Sequence, residues 1–367
     1  MIRISFLRWA PVFALMVCSC SIEMDQVSET PPVENPPLIT STSKFPVTHI
    51  PVNWAHLNLT GRLIYLSSME AGDELTSSIQ MLDLVTGEIA TILSIPGAWM
   101  YYATVSPDAK FLVMSYAPPE RSNSSSSRSL YVVPLDGSTD PQALFAPPTP
   151  ADRYTQAEWS PDGKYIYYVH YNQDHQPAGQ FFEDYDLWRM THPGGEREKI
   201  VEHAFWPRLT PDSARLVYVT LDPATGKNEL FVTTSDGSNP ERVALSGSQM
   251  PEIIDAPIFA PDGQSILFSA PEPERAYQPN LFESLLGIQV VKAHSAPSDW
   301  WSVPLTGGVP TQLTNIQTIN LFASISPDQK HIASLSGEGL FVMELDGSNL
   351  TQLVFDQGVH GTVSWIP

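Results

Sequence analysis

The stretch WSPDGKYIYY at residues 159–168 places a tryptophan before a Ser-Pro-Asp-Gly turn and an alternating apolar segment after it. Pro presets φ at the second position of a type I β-turn, Asp accepts hydrogen bonds from nearby backbone N–H groups, and Gly ends the turn. Similar stretches recur along the chain, so that the turns begin at Ser106, Ser160, Thr210, Ala260 and Ser326. The successive intervals of 54, 50, 50 and 66 residues are typical of a propeller or a solenoid.

A second signature, an apolar-aromatic strand that closes on a glycine turn, occurs six times. Its copies are IQMLDLVTG at 79, LYVVPLDG at 130, LWRMTHPGG at 187, LFVTTSDG at 230, WWSVPLTGG at 300 and LFVMELDG at 340. A short apolar strand precedes each turn motif, an alternating strand follows it, and a short strand such as TQLT at 311 follows the signature. Alternation with period two indicates sheets with two different faces. Six four-stranded antiparallel meanders predict an all-β, six-bladed β-propeller.

The two ends of the repeat region are complementary. GRLIYLSS at 61–68 corresponds to the strand after a turn, but no turn motif precedes it. VSWIP at 363–367 corresponds to the strand before a turn, with the turn missing. We therefore expect the C-terminal segment to supply the innermost strand of the first blade, which would close the ring and remove exposed sheet edges. A solenoid would instead carry polar terminal repeats, and Trp365 and Ile366 argue against that.

This repeat resembles the TolB-like six-bladed β-propeller family, whose WD-like repeats carry an SPDGK turn, and the resemblance covers residues 55–367. It implies a rigid scaffold that binds something on one face, and it does not imply a single chemistry. The sequence departs from TolB in having a tether where TolB carries an N-terminal α/β domain. It departs from peptidases with this repeat because it has no room for a hydrolase domain and no G-x-S-x-G motif.

The first residues predict export. Arg3 and Arg8 precede the apolar run WAPVFALMVC, which is short for a membrane span and typical of a signal peptide, assigned to residues 1–19. Both cysteines lie here, and the sequence around them resembles a bacterial lipobox in which Cys20, preceded by Ser19, is the better lipidation site than Cys18. The alternative is an ordinary cleaved signal peptide with incidental cysteines. Residues 20–53, rich in Pro, Ser and Thr, are predicted to be a tether, and residues 54–367 the propeller.

The composition excludes some partners. Forty acidic residues against 19 basic ones give a formal net charge of −21, which argues against nucleic acid and against adhesion to anionic lipid by charge. The acidic surface itself is consistent with a soluble protein that resists non-specific association. We expect a monomer without a cofactor, attached to the membrane only through its lipid.

In an antiparallel meander, the turns between strands 1 and 2 and strands 3 and 4 of each blade lie on one rim, and the other connections lie on the opposite rim. The first set is uniformly short, whereas the second includes residues 117–129, 171–185 and 271–299. Such long connections are functional or disordered segments, and loops on a rigid scaffold commonly carry function. We therefore place the binding face on the second rim. Within 271–299, the apolar residues 280–291 are interpreted as a lid or a partner site.

Equivalent positions before each turn predict the residues near the central channel. The fourth and second positions before the turns supply six candidate ligand-binding residues: Tyr102, Gln156, Glu158, Trp206, Arg208 and Phe322. Glu158 and Arg208, from adjacent blades, are either a polar ligand anchor or an inter-blade ion pair. The three aromatic residues either form a stacking surface at the channel mouth or pack between blades.

Histidines are candidate metal ligands because lyases that this repeat resembles place channel histidines around a metal. His170, His175, His203 and His360 are scattered along the chain and lack the spacing of a metal motif, so no metal site is assigned. No catalytic residue is assigned either. The sequence favours a non-enzymatic, lipid-anchored envelope propeller, on the periplasmic or cell-surface side, that binds an envelope protein or extracellular ligand. The alternatives are a metal-assisted lyase or hydrolase acting at the channel mouth, and a purely structural envelope scaffold.

Overall fold

The computed structural model describes residues 47–367 except 72–73, 120–127, 173, 175–184, 193, 223–226, 248–250 and 273–295. The chain divides into two compact units, Met1–Pro37 and Leu38–Pro367, and every described residue belongs to the second. The predicted signal peptide, Cys20 and most of the predicted tether lie outside the described residues, as do His175 and the apolar segment 280–291. None of the described residues form a helix that is long and apolar enough to cross a membrane.

Residues 106–111 show how the repeated turn is built. Ala109 N donates to Ser106 O at 2.8 Å and closes the turn. Ser106 Oγ donates to Asp108 Oδ1 at 2.6 Å and accepts from Phe111 N at 2.9 Å. The last residue of the turn is left-handed, with φ of 54° at Ala109, and the same holds for the four equivalent residues, Gly163, Ser213, Gly263 and Gln329. The hydroxyl and the carboxylate thus stabilise the turn through side-chain hydrogen bonds, which explains why these residues recur.

In four of the five repeated turns, hydrogen bonds stabilise the ionised form of the turn carboxylate. Burial raises the pKa of Asp162, but hydrogen bonds from Lys164 and Ser160 outweigh it and bring the pKa to about 2. Hydrogen bonds, the largest from Ser106, Thr210 and Ser326, lower the pKa of Asp108, Asp212 and Asp328. A carboxyl group whose pKa is lower in the folded state than its value of about 3.9 in the unfolded chain stabilises the folded state when it is ionised. The stabilisation by these carboxylates is therefore complete at neutral pH and is lost as the pH falls towards about 2.

Five blades are built from consecutive strands, each antiparallel to its neighbour. Blade 2 contains β5 (Trp99–Val105), β6 (Phe111–Ala117), β7 (Ser129–Pro134) and β8 (Gln142–Ala143). Blade 3 contains β9 (Asp152–Trp159), β10 (Tyr165–Asn172), β11 (Asp186–Thr191) and β12 (Arg197–Val201). Blade 4 contains β13 (Ala204–Leu209), β14 (Arg215–Leu221), β15 (Asn228–Thr234) and β16 (Glu241–Arg242). Blade 5 contains β17 (Asp255–Phe259), β18 (Ser265–Ala270), β19 (Asp299–Pro304) and β20 (Thr311–Gln312). Blade 6 contains β21 (Phe322–Ile325), β22 (His331–Ser336), β23 (Gly339–Glu344) and β24 (Thr351–Phe355).

Blade 1 joins the two ends of the propeller, as predicted. Its strands, from the channel outwards, are β25 (Val359–Ile366), β2 (Arg62–Ala71), β3 (Glu74–Asp83), β4 (Glu88–Pro96) and β1 (Val47–His49). Leu63 pairs with Trp365, whose indole Nε1 donates to Thr60 O at 3.0 Å. The six-bladed β-propeller closed by a C-terminal strand is therefore confirmed.

The outermost strand of blade 1 is a feature that the sequence pattern does not reveal. Val47, Thr48 and His49 are all exposed, and they pair with the edge of β4 inside the segment assigned to the tether. A 3-10 helix, Ala55–Leu57, follows and places the buried Trp54 against the blade, where its Nε1 donates to Leu84 O at 2.8 Å. Ordered packing therefore begins ahead of residue 54, and blade 1 has five strands.

Alternate residues of each blade face the neighbouring blade, and the core consists of these inter-blade layers. Trp300 and Trp301, the aromatic pair that opens the fifth copy of the second signature, are 1% and 3% exposed. Trp300 Nε1 donates to Ser334 Oγ of blade 6 at 2.9 Å and so links blade 5 to its neighbour. The paired tryptophans thus belong to the core of the blade.

The two rims of the propeller differ in the lengths of their connections. The turn rim carries the connections between strands 1 and 2 and between strands 3 and 4 of each blade, such as 106–110 and 345–350. The loop rim carries the others, and these include residues 118–128, 173–185 and 271–298. The innermost strands of blades 2 to 6 run from the loop rim to the turn rim, so their first residues surround the channel mouth on the loop rim.

Candidate functional site

The innermost strands carry a repeated β-bulge. In blades 2 to 5, two residues of this strand oppose one residue of the second strand, and β25 of blade 1 shows a register shift at the equivalent place. One residue of each bulge is left-handed; these are Tyr102, Gln156, Trp206, Ala256 and Gly361, with φ between 44° and 74°. In blade 6, Phe322 holds the equivalent sequence position but β21 pairs with β22 without a shift. Bulges of this kind redirect side chains and are common next to functional sites.

Three of the predicted site residues come together as an aromatic cluster. Tyr102, Trp206 and Phe322 belong to blades 2, 4 and 6, and their ring centroids lie 5.2–5.7 Å apart in tilted and edge-to-face arrangements. Phe322 and Trp206 are buried at 2% and 6% exposure, and Tyr102 is half-buried. Since the rings come from alternate blades and contact one another, they fill the channel. Burial raises the pKa of the Tyr102 hydroxyl, which therefore stays protonated.

Polar side chains hold the aromatic cluster in place. Gln156 Oε1 accepts from Trp206 N at 2.7 Å, and Trp206 Nε1 donates to Asp255 Oδ1 at 3.2 Å. Gln156 and Asp255 are themselves buried. The left-handed backbone of Trp206 is unusual for a bulky residue, and these contacts from blades 3 and 5 stabilise it. Gln156 thus positions Trp206.

A small cavity lies beside this cluster. Its lining residues are Gln156, Ala157, Trp206, Pro207, Arg208, Ala256, Pro257 and Thr362. Its volume is about 10 Å³ for the centre of a water molecule, which is room for one water. This cavity is therefore too small for any ligand larger than a water molecule.

Glu158 and Arg208 form an ion pair between blades 3 and 4. Both side chains are largely buried, at 21% and 17% exposure. Burial raises the pKa of the Glu158 carboxyl, and the Arg208 guanidinium acts in the opposite direction. The two side chains thus neutralise each other inside the protein, and the ligand-binding role predicted for them stays a prediction.

Solved structures share this architecture. A protein of Agrobacterium tumefaciens assigned as a TolB has a TM-score of 0.55 and 17% identity, over 81% of this chain and 100% of that one. A chain of the nidogen/laminin complex has a TM-score of 0.55 and 11% identity, over 83% and 97%. The hydrazine synthase of Kuenenia stuttgartiensis has a TM-score of 0.58 and 10% identity, over 82% of this chain and 46% of that one. No protein-family model matches the chain.

The fold is that of the TolB-like six-bladed propellers. At these identities the likeness concerns architecture, so residue roles have to come from the site itself.

Sequence reasoning missed a second group of residues nearer to the loop rim. Trp99 and Tyr101 lie on β5 ahead of the bulge and are half-exposed, with ring centroids 5.7 Å apart and planes 10° from parallel. The Arg128 guanidinium carbon lies 5.2 Å from the Tyr101 ring centroid and 6.0 Å from that of Trp99. The aromatic run WMYY at 99–102 was a usable signal, whereas Arg128 is isolated in the sequence.

The histidines that the structure describes do not gather around one point. His170 Nε2 lies 2.8 Å from Asp152 Oδ1, and its ring stacks on Tyr154 at 4.7 Å. His360 Nδ1 and Nε2 each lie 2.9 Å from a carbonyl oxygen, of Gly358 and Met100 respectively. Within the described ranges, no group of three or more His, Cys, Asp and Glu side chains is placed to hold a metal ion.

Proposed function

We propose that this TolB-like propeller is a binding protein of the bacterial cell envelope that engages an envelope protein or extracellular ligand through its loop rim. One observation carries the proposal: the half-exposed rings of Trp99 and Tyr101 and the Arg128 cation lie together in blade 2, on the same rim as the long connections. Aromatic residues and arginine are enriched at the surfaces through which proteins bind their partners. The turn rim is made of short turns that hold their own carboxylates.

Position-specific photo-crosslinking compares the two rims directly. Met69 and Phe355 lie on the loop rim and are 71% and 70% exposed, whereas Val85 and Val309 lie on the turn rim and are 62% and 64% exposed. Benzoylphenylalanine placed at each position leaves the core untouched because all four side chains face solvent. We expect discrete adducts in cells from the two loop-rim positions and none from the two turn-rim positions. Adducts from the turn rim alone, or equally from all four positions, would contradict the proposal.

We also propose that the protein is a lipoprotein anchored through Cys20. A single acyl chain gives only reversible membrane binding, so stable attachment requires the multiply acylated cysteine of such proteins. We expect Cys20→Ser to move the protein from the membrane fraction to the soluble fraction, and Cys18→Ser to leave it in place. Retention of Cys20→Ser in the membrane fraction would show that the N-terminal segment anchors the chain by itself.

A further inference from the structure

Arg128 is one of two described arginines, with Arg197, that lie over an aromatic ring and have no described carboxylate within 4.0 Å. Among the described residues, four arginines have a carboxylate partner within 4.0 Å: Arg62, Arg189, Arg208 and Arg242. Arg215 and Arg153 donate to backbone carbonyl oxygens. In the described part of the chain, no carboxylate lies within 4.0 Å of the Arg128 guanidinium, although the protein has a net charge of −21. A cation kept apart from abundant carboxylates is available for an anion from outside.

The aromatic residues fix the position of this cation. Arg128 lies directly before β7 and reaches across the second strand of blade 2 to the rings of Tyr101 and Trp99. A guanidinium held over a ring uses its flat face, so its in-plane N–H groups stay available for the two oxygens of an oxyanion. Because the rings restrain the side chain beforehand, less conformational entropy is lost when an anion binds.

A second arginine adds positive charge at the same mouth. Arg153 of β9 is buried, and its Nη1 donates to Pro150 O at 2.7 Å and Asp152 O at 3.1 Å. Burial lowers the pKa of Arg153 and Arg128 acts on it in the same direction, whereas Tyr171, Asp174 and Asp152 act in the opposite direction. The carboxylate of Asp152 also contacts His170 and Thr149. Nearby carboxylates therefore offset part of the charge of Arg153, and Arg128 is the principal candidate for binding an anion from outside.

We propose that Arg128, supported by Tyr101 and Trp99, is an oxyanion-binding site at the channel mouth of the loop rim, and that it recognises a carboxylate or phosphate group of the ligand. The inference rests on the proposed binding role of the loop rim and names the chemistry that the rim recognises. Both groups present two or more oxygens in the geometry that a guanidinium binds bidentately. The half-exposed Trp99 ring next to the guanidinium favours an anion attached to a flat or apolar group.

Calorimetric titration of the full-length protein with benzoate, phenyl phosphate and benzamide tests the site. Benzamide matches benzoate in shape and lacks the charge. We expect at least one of the two anions to bind one-to-one and about tenfold or more tighter than benzamide, as befits a charged hydrogen bond. The anion that binds more tightly identifies the ligand group as a carboxylate or a phosphate. Equal affinity for all three probes, or no binding of any, would overturn the proposal.

Arg128→Gln should remove the preference for the anion over benzamide. Arg62→Gln, which deletes the same charge at the start of β2 on the turn rim, should retain it. Arg128→Lys keeps the charge without the planar donors and should retain part of the preference, which provides a second variant if the glutamine variant melts early. If Arg128→Gln still prefers the anion over benzamide, or if Arg62→Gln loses that preference equally, Arg128 does not bind the anion. If the probes fail while Met69 and Phe355 still crosslink, the oxyanion site is wrong and the loop-rim binding role stands.

Discussion

A chain that ends at His360 is expected to accumulate as insoluble or protease-sensitive material. The missing residues 361–367 form most of β25, in which Thr362, Val363, Trp365 and Ile366 are buried. Loss of a buried Trp and a buried Ile costs about 3–5 and 2–5 kcal/mol, against a total stability of about 5–15 kcal/mol for a typical domain. The deletion also exposes the inner edge of β2, which is a template for aggregation.

The deletion also removes three contacts to the neighbouring blades. Thr362 Oγ1 donates to Ala103 O at 2.7 Å, and Ser364 Oγ accepts from Val105 N at 3.2 Å, both in blade 2. Trp365 N donates to Ser324 Oγ of blade 6 at 3.0 Å. The strand thus connects the first blade to both neighbours, and its loss opens the ring.

The opposite edge of the same blade supplies the control. A chain that begins at Ile50 lacks β1, whose three residues are exposed, but keeps the buried Trp54. Limited proteolysis and thermal melting should show this chain to be close to the full-length protein. If the chain that ends at His360 melts at the same temperature as the chain that begins at Ile50, closure by β25 contributes nothing and the interpretation fails.

The architecture could be predicted because the turn chemistry repeats. Ser, Asp and the left-handed last residue of the turn form one hydrogen-bonded unit. Each copy of the turn motif therefore predicts a hairpin at the same place in its blade. The pairing of the C-terminal strand with the first blade followed from counting incomplete repeats. The strand Val47–His49 could not be predicted, because three exposed residues carry no periodic pattern and only the free edge of β4 makes them a strand.

The candidate site was predictable in position but not in conformation. Counting back from the turn places Tyr102, Trp206 and Phe322 around the channel, and the structure brings their rings together. Whether such rings face a ligand or one another depends on bulge geometry, which is set by the partner strand and is not visible in the residue itself. Phe322 shows this, because it shares the sequence position but sits in a strand without a bulge.

Arg128 illustrates a different limit of sequence reasoning. Its neighbours Tyr101 and Trp99 are two strands away in the sheet, so their proximity depends on register. The Glu158–Arg208 pair was easier to foresee, since equivalent positions in adjacent blades lie side by side. Repeat-based reasoning therefore finds contacts between equivalent positions and misses contacts between different strands of one blade.

Replacing two glycines that have similar φ angles should separate the effect of steric crowding from that of backbone strain. Gly339 at the start of β23 has φ of 130°, and a Cβ there would lie 1.9 Å from Val354 O of β24. Gly308, in the turn between β19 and β20, has φ of 126°, and a Cβ there would meet nothing within 4 Å. Residues other than glycine are strained by about 1–3 kcal/mol in sparsely populated backbone regions.

We expect Gly308→Ala to cost about 1–3 kcal/mol of unfolding free energy, because only the backbone strain applies. Gly339→Ala should cost about 1–3 kcal/mol more, since overpacking forces a backbone shift and here displaces β24 from its partner. Urea unfolding followed by tryptophan fluorescence measures both variants against the parent protein. Equal midpoints for the two variants would mean that β24, as the outermost strand of blade 6, moves aside freely. In that case the pairing of Gly339 with Phe355 holds the edge of the blade only weakly, and the stability of the blade comes from its inner three strands.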